Sequence, residues 1–224
     1  MSGASEVVRP NPAYPATALP ESAAALTRYY RWHARLYDAT RWSFLFGRAA
    51  LIRAIADHHA PRHILEIGCG TGANLARLGR RFPRAALTGL DLSPDMLTRA
   101  WRKMAACGLP VTLLQGCYDR PLNEEPTFDL IVLSYCLSMI DPGWEQAVDA
   151  ALRDLRPGGL LAVVDFHDSR WAGFRRWMAL NHVKMDGHLL PHLNGCCRTV
   201  AQTVRAAYGG GWRYFTFIGR KRGA

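Results

Sequence analysis

Three glycines stand at alternate positions in Gly68-Cys69-Gly70-Thr71-Gly72, directly after the apolar run His63-Ile64-Leu65-Glu66-Ile67. A turn of that composition lets backbone pass close under a ligand, because no Cβ is in the way. Read through Ala73, it also fits the G-x-G-x-x-G/A pattern of dinucleotide sites, which is weak on its own. Two carboxylates bracket the turn. Glu66 stands two residues before the first glycine. Asp91 ends the next apolar run, where a carboxylate can accept from both hydroxyls of a ribose. These residues suit the binding of a nucleoside-bearing ligand. Tyr135 and His167 each follow a later apolar run, 128–134 and 160–166, where a reacting group would meet such a ligand. Either side chain can hold or move a proton; a lone histidine is more often simply structural.

The elements that must position these residues alternate along the chain. Apolar runs at 63–67, 86–91, 111–115, 128–134 and 160–166 read as strands, and the segments 74–82, 93–107 and 144–155 read as helices. Ser93 is placed as a helix N-cap with Pro94 in the first turn. The strands are apolar on both faces, as buried parallel strands are. The expected fold is therefore α/β, a Rossmann-like, doubly wound, mostly parallel sheet, with 214–218 closing it as an antiparallel strand. Ligands of such sheets bind beyond the carboxyl ends of the strands, where the glycine turn, Asp91, Tyr135 and His167 all fall. Residues 170–182 read as a further helix, followed by a loop rich in Gly and His. Residues 21–60 read as helical, with a second helix near 48–59, and 1–20, rich in Ala, Pro and Ser, as a disordered tail. The expected organisation is a tail, 1–20, and one domain, 21–224.

Composition excludes several classes. No apolar stretch approaches the roughly 20 residues a spanning helix needs, and the first 19 residues lack the apolar centre of a secretory signal. Six cysteines show no C-x-x-C pair, so neither a zinc site nor a thioredoxin-like motif is indicated, and no metal is expected. Reduced thiols and a cytoplasmic location are expected. The formal charge of +10 fits either an anionic partner or Arg scattered over a solvated surface. The basic clusters are short (Arg80–Arg81, Arg175–Arg176, Arg220–Lys221–Arg222), so nucleic acid is not the expected partner.

With Glu66 ahead of the glycines, Asp91 after the second strand, an apolar fourth strand and the turn Leu155-Arg156-Pro157-Gly158-Gly159-Leu160, residues 64–166 resemble the class I S-adenosylmethionine (SAM)-dependent methyltransferases. The resemblance implies SAM as cofactor and S-adenosylhomocysteine as product. It places Gly68, Gly70 and Gly72, with Cys69 and Thr71, beneath the methionine and ribose parts, and Asp91 on the ribose. Leu92 and Met96 flank the adenine, and Glu66 and Ser134 belong to the same cofactor set. After the third strand this family often carries an Asp near the adenine amine. Here the run is Gln115-Gly116-Cys117-Tyr118-Asp119, so backbone groups from Gly116 to Tyr118, or Asp119, would take that role.

Outside the cofactor half, the runs YDATR (37–41), LFGR (45–48), Ser134-Tyr135-Cys136-Leu137-Ser138-Met139-Ile140, and 177–183 resemble the N-methyltransferases of betaine-lipid synthesis and, more broadly, phospholipid N-methyltransferases. This implies a lipid amine substrate, diacylglyceryl-homoserine above all, and contact with an anionic inner-membrane surface without spanning it. A soluble small molecule or quinone precursor is the alternative acceptor. Tyr30, His33, Tyr37 and Arg41 are spaced at helical intervals. If that face lids the cofactor (an N-terminal helical lid, 21–60), Tyr37 could touch the sulfonium or amine and Arg41 a substrate carboxylate. Equally, the tyrosines could be core aromatics and Arg41 a surface charge. Tyr37, Tyr135 and His167 are the catalytic candidates, with Tyr30, Arg41 and His182 on the substrate side. Residues 170–183 alternate Arg with Trp, Phe and Met, which suits either a lipid interface or a core-facing amphipathic helix. The sequence does not set the oligomeric state.

Overall fold

The computed structural model describes residues 45–180 and 183–222. Helix α1 (Arg48–His58) leads into β1 (His63–Ile67). Then come α2 (Ala73–Arg81), β2 (Ala86–Asp91), α3 (Pro94–Ala106) and β3 (Thr112–Gln115). Strand β4 (Phe128–Ser134), α4 (Trp144–Asp154) and β5 (Leu155–Asp168) complete the alternating part. The remainder is α5 (Ala172–Leu180), α6 (Leu189–Cys196), β6 (Cys197–Ala207) and β7 (Trp212–Lys221).

The seven strands lie in the order β3-β2-β1-β4-β5-β7-β6. β1 to β5 are mutually parallel, and β7 runs antiparallel between β5 and β6. Successive residues of β4 show how the sheet divides the core. Leu130 and Val132 pack with Leu51 and Ile55 of α1, Leu75 of α2 and Ala100 of α3. Ile131 and Leu133 pack on the opposite side with Val148 and Ala151 of α4 and Leu193 of α6. That is the period-two alternation of a strand buried on both faces.

Local chemistry sets the boundaries. The Ser93 hydroxyl accepts from the Met96 amide, and Pro94 occupies the first turn of α3. Gly89 lets α2 approach β2, since a Cβ there would stand 2.6 Å from Leu75 Cδ1. The part of the expected lid that the structure describes is α1. Its Leu51, Ile52 and Ile55 are core residues on the sheet; residues before 45 lie outside the described ones.

Two elements depart from the sequence reading. The expected Gly- and His-containing loop holds helix α6 and the long strand β6. β6 is the sheet edge, paired only with β7, and most of its side chains are exposed. It therefore lacks the apolar signature of the other strands. β5 also starts five residues earlier than expected, running through Pro157-Gly158-Gly159 with a register shift against β4.

The turn before α2 leaves little room for a side chain at Gly72. Its φ is +73°, and a Cβ would meet Ala100 Cβ at 3.0 Å and Ala100 Cα at 3.1 Å. Gly108 has a similar φ of +64° but open space around it. Gly108→Ala should therefore cost about 1 kcal/mol, and Gly72→Ala about 2–4 kcal/mol. Urea unfolding of the two variants checks the order.

Candidate cofactor and active site

The carboxyl ends of β1 to β5 share one edge, and the cofactor candidates of the glycine turn, Asp91 and Ser134 collect there. Gly68 has φ +66°, and a Cβ on it would fall 2.6 Å from Cys136 Sγ, so the turn after β1 lies directly against the turn after β4. Asp91 steadies this arrangement. Its Oδ2 accepts from the Gly70 amide at 2.7 Å and its Oδ1 from the Ser93 amide at 2.9 Å. Its carbonyl accepts from the Gly116 amide at 3.1 Å. One residue thus ties together the turns after β1, β2 and β3. A carboxylate offers about four acceptor sites, so one that holds two loops can also accept from a ribose.

Glu66 is 1% exposed. Its Oε1 accepts from Asn74 Nδ2 at 2.9 Å, while its Oε2 and the Asn74 Oδ1 are buried with no hydrogen-bond partner. Burial pushes the carboxyl up to about 7, against the pull of the Arg48 guanidinium and the Asn74 hydrogen bond. Two buried orphan acceptors side by side call for a donor. The ammonium of SAM's methionine part has that chemistry, so these residues fit the cofactor that the sequence implies. Helix α2, which begins at the turn, has no side-chain cap on its first amides, which suits a carboxylate there.

Arg48 has no individual role in the sequence reading, and the structure gives it a central position. Its Nε donates to Ser134 Oγ at 2.7 Å and its Nη2 to the Ser134 carbonyl at 3.4 Å. The guanidinium lies 5.8 Å from the Tyr135 ring centroid. One signal was available: a basic residue opening a helix opposes the helix dipole and needs strong partners elsewhere. Ser134, a cofactor candidate, thus has its hydroxyl engaged by Arg48.

Tyr135 and His167 are not brought together. Tyr135 is buried with φ +54°, its ring edge-on to Phe166 at 4.8 Å. Its hydroxyl donates to the Phe46 carbonyl at 2.9 Å. Burial, with the nearby Asp165 charge, pushes its phenol far above its ordinary value. A hydroxyl so placed shapes the site and is a poor proton acceptor. His167 follows Phe166 and faces the other side, 6.1 Å from the Phe215 ring and against Gly187. Its Nδ1 is buried with no partner, and burial lowers its pKa, partly offset by Asp168.

Asp165, also not foreseen, fixes the turn that carries Tyr135. Its carboxylate accepts from the amides of Cys136, Ser138 and Phe166 at 3.1, 3.2 and 2.8 Å. On the adenine side, Met96 is buried and Leu92 and Gly116 half-buried. Cys117 is half-buried and Asp119 exposed. The Tyr118 side chain turns into the core, where its hydroxyl donates to Asp154 at 2.6 Å. Cys69 likewise packs inward, with α2 and β2, and Thr71 is buried in the turn. Tyr30, Tyr37, Arg41 and His182 lie outside the described residues.

Glu66 supplies a pH test. Its folded pKa of about 7 lies above its ordinary 4.5, so the folded state holds a proton that the unfolded state has lost. The associated stability is complete below about pH 4.5 and is lost as pH rises through about 7. Glu66→Gln should flatten the fall in thermal midpoint across that window. The same substitution should weaken SAM binding about tenfold, through loss of a charged hydrogen bond. Calorimetric titration would show that loss; wild-type affinity in the variant would mean that the carboxylate does not meet the cofactor.

Comparison with known proteins agrees with this geometry. Residues 64–159 match the family model described as a methyltransferase domain. A phosphatidylethanolamine N-methyltransferase of Cereibacter sphaeroides is 35% identical over 143 residues, covering 61% of this chain and 65% of the relative. A trans-aconitate 2-methyltransferase of Methylobacterium nodulans is 36% identical over 104 residues, 46% of this chain and 38% of the relative. This chain thus spans less than two thirds of either relative's length. The solved structure of the N-methyltransferase NodS of Bradyrhizobium japonicum, in complex with S-adenosylhomocysteine, superposes with a TM-score of 0.66 at 23% identity, covering 79% of this chain and 86% of that one. That likeness is one of fold. Residues 64–159 thus match the methyltransferase-domain family on the fold that NodS shows, and SAM is the cofactor that this match and the sequence resemblance imply.

Proposed function

We propose that this chain methylates a lipid-headgroup amine, adding methyl groups in succession to diacylglyceryl-homoserine to give a betaine lipid. The observation that carries the lipid half is the similarity to the phosphatidylethanolamine N-methyltransferase, which extends beyond the cofactor core. Fold alone would not carry it, because one scaffold hosts many chemistries. The choice of homoserine over ethanolamine rests on the runs at 37–48 and 134–140.

Bound SAM supplies an electrophilic methyl on a sulfonium. The chain's own residues then have three tasks. Asp91 and Glu66 hold the cofactor at the strand ends, so that much of the acceleration comes from positioning. The aromatic group around the end of β4 (Tyr135, Phe166, Phe46, Trp212 and Tyr214) offers ring faces to a cationic, methylated amine. The amine must lose a proton before each transfer. His167, whose pKa burial lowers, has the chemistry to take a proton but faces the other side of the sheet from this aromatic group, so the proton is assigned to water. Arg41 is assigned to the substrate carboxylate.

The test is a transfer assay with labelled SAM and a panel of diacylglyceryl-homoserine, phosphatidylethanolamine, soluble amines, phenols and tRNA, with products resolved by mass. One to three added methyl groups on the homoserine lipid are expected. Arg41→Ala should raise KM for that lipid about tenfold or more and leave phosphatidylethanolamine unaffected. Transfer only to soluble acceptors would discard the lipid assignment.

A further inference from the structure

All six cysteines are free thiols, and two of them are neighbours in the chain. Cys196 is the last residue of α6 and Cys197 the first of β6. Side chains of consecutive residues normally point apart, yet these two thiols share a hydrogen bond. Cys196 Sγ also reaches the Leu193 carbonyl at 3.6 Å. Cys197 is 1% exposed and Cys196 half-buried. The pair is braced by its surroundings. A Cβ on Gly219 would stand 2.5 Å from the Cys197 Cβ, so β7 packs directly against it. Arg222 Nη2 donates to the Cys197 carbonyl at 3.5 Å, and Thr199 Oγ1 donates to Asn194 Oδ1 across the junction at 2.6 Å. Gly195 is exposed, with nothing within 4 Å of an added Cβ, so the junction is open to an entering reagent.

The junction lies away from the cofactor. β7 runs antiparallel to both β5 and β6, so β6 starts at the same edge of the sheet as β5. Cys197 pairs with Lys221, whose Nζ donates to the Leu155 carbonyl at the beginning of β5 at 2.6 Å. The glycine turn and Asp91 lie at the opposite, carboxyl edge. The two thiols are chemically unequal. Their shared hydrogen bond lowers the pKa of Cys196 and raises that of Cys197, while Arg222 favours ionisation of both and Asp149 opposes it at Cys196. The thiolate is the form that attacks and ligates. The half-buried sulfur therefore reacts first, and the buried one follows.

We propose that Cys196 and Cys197 form a binding site for a trivalent arsenical, held by both sulfurs at the sheet edge opposite the cofactor. Paired thiolates select soft acceptors, and geometry narrows the choice. A direct S–S bond is strained here, because consecutive Cα atoms are about 3.8 Å apart and disulfides usually span about 4.4–6.8 Å. One atom inserted between the sulfurs relieves that strain. Zinc needs a full tetrahedral set of ligands, and among the described residues no group of three or more His, Cys, Asp or Glu could hold a metal ion. Arsenic(III) takes its sulfurs nearly at right angles, which keeps them side by side, as they lie here. With an arsine oxide, two S–As bonds form. The two thiol protons leave with the arsenical's oxygen as one water, and the arsenic stays trivalent.

The full chain, reduced with a phosphine, would be titrated with phenylarsine oxide and followed by intact mass and peptide mapping. One phenylarsenic group per chain is expected, bridging Cys196 and Cys197, stable to a monothiol and removed by a dithiol. It should form equally with S-adenosylhomocysteine bound. Cys196→Ser and Cys197→Ala should each weaken binding about hundredfold or more, and Cys136→Ser should leave it unchanged. Thermal midpoints separate a lost ligand from a lost fold, and Cys196→Ser, at the half-buried position, decides the matter if Cys197→Ala unfolds. No adduct that resists a monothiol, an adduct mapped to Cys69 and Cys136, or full-strength binding by Cys196→Ser would overturn the site.

Discussion

The Asp91 carboxylate is the constraint on which the site depends. It accepts amide hydrogens from Gly70 and Ser93, so the turn after β1 and the start of α3 are held by the half-buried end of β2. Backbone at positive φ leaves amides pointing inward, and a charged acceptor satisfies them better than water in a partly closed space. Were that charge lost, the glycines would keep their freedom but lose their reason to stay in place. Binding competence and local order are therefore aspects of the same contact.

A second layer of buried and half-buried polar groups lies beside it. Glu66, Arg48, Ser134 and Asp165 all sit at the ends of the central strands, where the apolar core gives way to loops. Each positions something larger than itself: Arg48 joins α1 to β4, and Asp165 shapes the turn bearing Tyr135. Burying such groups is costly unless they are well paired. Here one member, Glu66, keeps its Oε2 without a hydrogen-bond partner beside the equally unpartnered Asn74 Oδ1.

Much of this was legible in the sequence, and what was not has a physical reason. The glycine turn, Asp91 and the N-cap Ser93 are local signals, since each residue acts within a few positions of itself. The parallel strands announced themselves by runs apolar on both faces. Arg48 could not be assigned in that way, because its partner Ser134 lies 86 positions away. Asp154, which receives Tyr118 across 36 positions, escaped for the same reason. β6 was missed because an edge strand needs no apolar alternation. That the Tyr135 hydroxyl donates to the Phe46 carbonyl, 89 positions away, is visible only in the fold.

The position of β7 has a consequence for assembly. It is the last strand in chain order, yet it lies inside the sheet, between β5 and β6. Lys221 and Arg220 at its far end donate to the carbonyls of Leu155 and Gly158, pinning it to the start of β5. β6 is made earlier but has no place on the sheet until β7 arrives to carry it. Two of the seven strands must therefore wait for a pairing across some sixty residues, with β5 exposing an open edge in the meantime. Such long-range closure slows folding and leaves an interval in which that edge can pair with the wrong strand.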